Sequence, residues 1–178
     1  MTRAFVAVAL PEAVLDAVAR ATSELALSGR LTTRAQWHLT LQFLGDDVDV
    51  DAVLGSLLGL DAERGVVRLG GAGAFPDARH ASVLWLGLAQ GAGIVAHLAD
   101  AVCARTAQVG HASDDRPFRP HITLARFRQP IDAREVIARI GEDPIGPAWT
   151  VDGVTVYESR RDRDGARYLA RGTVPLPV

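Results

Sequence analysis

Apolar residues in this chain come in short runs broken by proline, glycine and acidic clusters, a grammar of alternating strands and helices. "RAFVAVAL" (residues 3–10) is a Val-rich run stopped by Pro11 and predicts a buried strand. Pro11 suits the first turn of a helix, with Glu12 near the positive end of its dipole. Val14, Val18, Ala21 and Leu25 then form a helical stripe, and Gly29 supplies the stop. "QWHLTLQFLG" (36–45) predicts the next strand, and "DDVDVD" (46–51) caps a short helix over 51–59. "VVRLGGAGAFPD" and "ASVLWLGL" predict two strands joined at "FPDARH".

After "AQGAG" comes the best helical pattern, with Ile94, Leu98, Val102 and Arg105 on one side and Ala101 beside them. A polar loop, "GHASDDRPFR", leads to a strand at "PHITLARF", and "DAREVIARI" predicts a short amphipathic helix. "WTVDGVTVYESR" and "ARYLARGTV" close the chain as a hairpin around "DRDG". Each half thus has a long helix, a strand, a short helix and a hairpin. The expected fold is α+β: one bilobal domain over 1–178, made of two pseudo-symmetric lobes. Each lobe is a mostly antiparallel sheet with helices outside, and a groove runs between them.

Composition narrows the function classes. A chain of 178 residues, 48% hydrophobic, is long enough for one packed domain. With 19 basic and 21 acidic residues it is no general polyanion binder, so nucleic-acid contact needs a local basic patch. All the basic residues are Arg, so Arg over Lys carries no local information. One Cys excludes a disulfide framework, and Cys103, inside the helical pattern, is expected in the core. The first apolar run is too short to span a membrane and lacks a signal-cleavage pattern, so a cytoplasmic, soluble monomer is expected.

The chemistry sits in two nearly identical words, "HLTL" (38–41) and "HITL" (121–124). On a strand, His38 and Thr40 project from one face while Leu39, Leu41 and Phe43 project from the other. His121 and Thr123 repeat this opposite Ile122 and Leu124. An imidazole, with an ordinary pKa of about 6.5, exchanges protons near neutrality, and a hydroxyl two residues on can hold an anionic oxygen. Two such units across a groove supply an acid, a base and two donors, a set suited to in-line displacement at phosphorus. A lone His flanked by Leu in a strand is ordinarily structural; the repetition is what points to catalysis.

"HLTLQFLG" and "FRPHITLAR" resemble the two signature motifs of the two-histidine (2H) phosphoesterases, nearest to the RNA 2′,3′-cyclic phosphodiesterases, also called 2′-5′ RNA ligases (LigT type). "AFVAVALPEAV", "GAGAFPDARHASVLWLGL" and "VTVYESRRDRDGARY" resemble that family's opening strand and helix, central hairpin and closing hairpin. The chain departs from it just before the first His, where many relatives carry Glu-Asn and this sequence has "RAQW"; substrate preference is what that puts in question. The resemblance implies that His38 and His121 are the proton-transfer pair and that Thr40 and Thr123 hold the phosphate. It implies opening of an RNA 2′,3′-cyclic phosphate to a 2′-phosphomonoester without metal or cofactor, with reverse 2′-5′ ligation as a further activity. His38 is expected as the acid and His121 as the base for water.

The family pattern H-x-T-x-x-R also places Arg126 at the phosphate, whereas strict alternation puts it on the buried face, so a bulge or the strand end must turn it. Arg116, Arg119 and Arg128 either steer RNA phosphates or lie in a solvated loop facing "SDD" (113–115). By parity Trp37 and Phe43 are packing residues, and the loop residues Phe75 and Phe118 are the better base-stacking candidates. His80, His97 and His111 receive no role. Three alternatives stay open: a 2H enzyme acting on 2′-5′ oligonucleotides or small cyclic nucleotides, an RNA-end binding module without turnover, and a metal hydrolase using His38, His121 and Gly45–Asp47.

Overall fold

A computed structural model describes residues 2–23, 25, 30–113, 117–162 and 165–178. Gly29, Asp114, Asp115 and Arg116, to which the sequence assigned a helix stop and part of a charged loop, lie outside the described residues. The elements run β1 (Arg3–Ala9), α1 (Glu12–Thr22), β2 (Arg30–Leu31), a single 3-10 turn at Arg34–Gln36, β3 (His38–Gly45), α2 (Val50–Leu57), β4 (Gly65–Phe75), β5 (Ala81–Gln90), α3 (Ala92–Ala107), β6 (Ile122–Ile131), α4 (Arg134–Ile140), β7 (Pro144–Val151), β8 (Gly153–Asp162) and β9 (Gly165–Pro175).

Two antiparallel sheets form, in strand order β3-β1-β8-β9 and β2-β6-β5-β4-β7. The expected pair of α+β lobes is present, but neither lobe is a contiguous half of the chain. β4 leaves the first His strand and α2 to pair with β5 in the second sheet, and β8 leaves the second to pair with β1 in the first. "WTVDGVTVYESR" is therefore two strands in two sheets, not one, with the crossing at Asp152. Asp162 still pairs with Gly165 across the expected closing turn.

Local chemistry accounts for most element ends. Asp49 caps α2 by accepting from the Ala52 N–H, so the helix starts one residue earlier than the sequence placed it. Pro11 is the residue before α1, not within its first turn, and the helix closes at Thr22 with the Thr22 hydroxyl bonded back to the Val18 carbonyl. Ala21 faces solvent, while Val14, Ala17 and Val18 are buried. In α3 the buried line is Val95, Leu98, Ala99, Val102 and Thr106, one position round from the predicted stripe. Arg105 instead donates to the Gly59 carbonyl at 2.7 Å, tying α3 to the end of α2. Cys103 is half-exposed, not core. β2 was missed because two residues carry no period; it pairs with β6 through Leu31 and Ala125.

The feature that positions the site is a matched irregularity. Along β1 and β3, Val6 faces Gln42 and Ala7 faces Thr40, so Leu41 is one residue too many. Along β5 and β6, Leu84 faces Ala125 and Trp85 faces Thr123, so Leu124 is the extra residue. Each bulge falls one residue after the motif threonine and reverses the facing of everything beyond it. Burial follows: Leu39, Leu41, Gln42 and Leu44 are inside on β3, and Ile122, Leu124, Ala125 and Phe127 on β6.

Candidate active site

His38 and Thr40 on β3, and His121 and Thr123 at the start of β6, remain half-buried on the sheet faces turned away from the aliphatic core. The two imidazoles are close enough that His121 opposes protonation of His38, and Arg126 opposes protonation of both. One guanidinium thus serves both halves of the site. The Leu124 bulge turns Arg126 out of the core, where strict alternation had it buried.

The same device on β3 overturns the reading of Phe43 as a packing residue. The Leu41 bulge turns Phe43 outward, 65% exposed, onto the His38 face beside Phe5 at a centroid distance of 6.0 Å. The extra residue is legible only in the strand register, which is why alternation counted from His38 missed it. Trp37 does pack, half-buried against the core. Phe118 is also packed against the core, and Phe75 meets the His121 ring edge-on at 5.0 Å, so the loop candidates are less free to stack than expected.

Each imidazole is held from two residues upstream. His121 Nδ1 lies 2.7 Å from the Arg119 carbonyl, and His38 makes a corresponding hydrogen bond to the Gln36 backbone. A carbonyl only accepts, so Nδ1 of His121 carries the proton and Nε2 is the nitrogen left for chemistry. Desolvation is the main cause lowering both pKa values, with the facing charges adding to it; His38 falls to about 4 and His121 moves the same way. His38 is the more enclosed: Phe5 stacks on it at 4.6 Å, Tyr168 meets it edge-on at 5.2 Å and Tyr157 lies at 6.1 Å. His121 has Phe75 and Trp85 as ring neighbours, the latter at 6.0 Å, and the two residues before it, Arg119 and Pro120, line an open groove with Trp85.

The "RAQW" departure is built into the scaffold of the first histidine. Arg34 pairs with Asp16 (2.6 Å) and Glu12 on α1, and Gln36 Nε2 donates to the Ala166 carbonyl at 2.6 Å. Trp37 Nε1 donates to the Thr32 hydroxyl at 3.0 Å. That hydroxyl shares its own proton between the carbonyls of Thr123 (2.6 Å) and Leu124 (2.9 Å). Thr32, absent from every sequence expectation, therefore joins the residue before His38 to the bulge after Thr123.

Arg119 and Arg128 are exposed, and Arg119 is near enough to His121 to oppose its protonation. The remaining candidates fall away from the site. His80 lies 3.6 Å from Asp77 on the surface. His111 is bonded through its backbone: its carbonyl accepts from Gln42 Nε2 at 3.1 Å and its N–H donates to the Thr106 carbonyl at 3.0 Å. Among the described residues no group of three or more His, Cys, Asp or Glu is placed to hold a metal, and Asp46 and Asp47 are exposed. No helix among them is long and apolar enough to cross a membrane.

Comparison with known proteins agrees with this geometry. The family model of the 2′-5′ RNA ligase superfamily matches residues 10–163. The RNA 2′,3′-cyclic phosphodiesterase of Escherichia coli (strain K12) is 33% identical over 172 residues, covering 93% of this chain and 92% of that protein. The one from Aeropyrum pernix is 32% identical over 137 residues, 74% of this chain and 77% of that protein. E. coli LigT complexed with 3′-AMP superposes with a TM-score of 0.80 at 27% identity, covering 99% of both chains. TT0787 of Thermus thermophilus gives 0.77 at 29% identity over 98% of this chain and 97% of that one. With the family model matched over most of its length and relatives of this kind covering nearly all of it, the chain belongs to the 2′-5′ RNA ligase superfamily.

Proposed function

We propose that this protein opens RNA 2′,3′-cyclic phosphate ends to 2′-phosphomonoesters, using His38 and His121 as a proton-transfer pair and no metal ion. The observation that carries this is the matched pair of bulged H-x-T strands, which sets two imidazoles within electrostatic reach of Arg126, with His121 also acting on His38. Similar proteins named RNA 2′,3′-cyclic phosphodiesterase support it. One chain supplies His38, His121, Thr40, Thr123 and Arg126, so the chemistry needs no second subunit.

In this reading the cyclic phosphate lies between the threonine hydroxyls, with Arg126 offsetting its charge. Water approaches on the open, His121 side; Nε2 of His121 takes its proton as the new P–O bond forms. The bond from phosphorus to the 3′ oxygen breaks, and His38 protonates that oxygen. The dry aromatic wall around His38 keeps bulk water from the leaving group, and the anionic substrate raises the depressed pKa of His38 so that it arrives charged. With a 5′ hydroxyl in place of water, the same pair joins a 2′,3′-cyclic end into a 2′-5′ linkage: the new P–O5′ bond forms as the bond to the 3′ oxygen breaks, and His38 again protonates that oxygen. Phe43 is a stacking surface for the terminal base, available whatever the base.

The test is an RNA oligonucleotide ending in a 2′,3′-cyclic phosphate, incubated with and without chelator. A 2′-phosphate product formed at equal rates in both supports the reading. A 3′-phosphate, or activity abolished by chelator, overturns it, and binding without turnover would leave an RNA-end binding module.

A further inference from the structure

The residue two positions before each histidine has the same task in both halves of the chain. Arg119 offers its carbonyl to His121 Nδ1 at 2.7 Å. Gln36 bonds His38 through its backbone and favours the charged ring, the effect of a carbonyl accepting from an imidazole N–H. The hydrogen bond at one ring nitrogen decides which nitrogen carries the proton, and so which is left for chemistry. A carbonyl can do that only if its own peptide is held in place.

Both peptides are held through their side chains. Gln36 Nε2 donates to the Ala166 carbonyl at 2.6 Å, and its Oε1 accepts from the Thr33 N–H at 3.0 Å. Ala166 lies on β9 two residues before Tyr168, the ring that meets His38 edge-on. The Arg119 guanidinium lies 5.4 Å from the centroid of the Trp85 ring, itself a neighbour of His121 at 6.0 Å. Trp85 pairs with Thr123 on one side and Gly73 on the other, so its indole lies on the face that carries the motif threonine. Gly73 leaves room for it there, since a Cβ at that position would collide with the six-membered ring. Each anchor thus stands on a strand that supplies an aromatic neighbour of the same imidazole. The anchors differ in kind: an amide pair for the enclosed histidine, a cation on an indole for the other.

We propose that Gln36 and Arg119 are positioning residues, each fastening the carbonyl that orients the imidazole two residues later. The proposal rests on the function given above, in which His38 and His121 exchange protons. Gln36 belongs to "RAQW", so that segment acts on the chemical step and not on substrate choice alone.

The experiment compares wild type, Gln36→Met, Arg119→Met and Arg119→Lys by imidazole nitrogen NMR shifts and by steady-state kinetics on a nucleoside 2′,3′-cyclic phosphate. Gln36 is half-buried and Arg119 exposed, so methionine replaces each without opening the core. The shifts are read at alkaline pH, where both rings are neutral. Tautomer and not pKa decides, because the Arg119 charge opposes protonation of His121 by itself. Each Met variant is expected to move the tautomer balance of its own histidine only. Its kcat should fall roughly 10–100-fold, up to the cost of misplacing a reacting group by about 1 Å, with KM little changed. Arg119→Lys keeps a cation for the indole and should restore the tautomer and most of kcat. Unchanged tautomers in both Met variants overturn the proposal, and a shift in only one overturns the role of the other residue. A raised KM with kcat intact also overturns it, placing these side chains on the substrate. If wild type fails to turn over the cyclic phosphate, the function given above falls, while the tautomers still decide the positioning.

Discussion

Burial acts unequally on the two imidazoles, and pH exposes the difference. His38 titrates near 4 in the folded chain against about 6.5 when unfolded. Below pH 6.5 the unfolded chain binds a proton that folded His38 refuses. Stability is therefore fully retained above pH 6.5 and falls as pH drops toward 4, by up to about 3 kcal/mol. Urea melts at pH 7.0 and 4.5 should show this loss, and His38→Gln should remove most of it; an unchanged loss in that variant would place its source elsewhere. The substrate's negative charge works the other way, so a nucleoside 2′-phosphate should bind more tightly as pH falls from 7.5 to 5.5, with proton uptake seen by calorimetry in two buffers. Turnover should be bell-shaped, its limbs belonging to the coupled pair. His38→Ala and His121→Ala should each lower kcat by roughly 10²–10⁴ with circular dichroism unchanged. Thr40→Ala and Thr123→Ala should lose less, since each leaves one donor in place.

At the scale of the strand, one extra residue decides what faces the substrate. The two motifs match as far as the bulge, then differ where it matters: the outward residue is Phe43 on β3 and Arg126 on β6. An exposed aromatic ring so stands on one motif strand and an exposed cation on the other. Arg126 opposes protonation of both imidazoles, so Arg126→Ala should raise both imidazole pKa values, read by NMR of the ring protons. The same variant should raise KM for a cyclic phosphate more than it lowers kcat. Phe43→Ala should raise KM by about tenfold for a nucleoside substrate, the cost of one lost stack. Thr32 holds the second bulge through two carbonyls and the Trp37 N–H. Thr32→Val keeps the shape and the Thr32 N–H bond to the Leu124 carbonyl but removes the hydroxyl partner of the Thr123 carbonyl and of the Trp37 Nε1–H, an expected cost of about 1–3 kcal/mol of stability. Its kcat should also fall, with KM for the phosphate little changed; a stability loss with kcat intact would make Thr32 a fold residue only.

Across the whole molecule, the lobes are fastened by exchange and by buried polar contacts. β4 and β8 each cross to the other sheet, so neither lobe closes without the other half of the chain. Gln42, turned inward by its bulge, accepts from the Thr106 hydroxyl at 2.6 Å and donates to the His111 carbonyl at 3.1 Å. That ties the first catalytic strand to α3 and to the start of the loop leading to His121. Gln42→Leu removes the amide donor to the His111 carbonyl and the acceptor of the Thr106 hydroxyl, so a loss of about 1–3 kcal/mol is expected in a denaturant melt. Because the lobes are interlocked, that melt should stay a single transition by both fluorescence and circular dichroism. Two separated transitions would show that the lobes unfold independently.

By itself the sequence determined the α+β class, the pair of lobes, and the two H-x-T faces with His38, Thr40, His121 and Thr123 as candidates, while Arg126 became a candidate only through the family resemblance and against alternation. Those follow from local terms: strand alternation, caps such as Asp49, and a repeated four-residue word. What the sequence left open or misjudged was set by register, which no single segment carries. A β-bulge is a relation between two strands, so the outward turn of Phe43 and Arg126 was invisible until Val6 and Ala7, and Leu84 and Trp85, were paired with their partners. The exchange of β4 and β8, the two-residue β2 and the reach of Thr32 are likewise contacts between segments far apart in the chain. Alternation along one strand is fixed by the pleat of that strand; which face meets substrate is fixed by the neighbour it must hydrogen-bond.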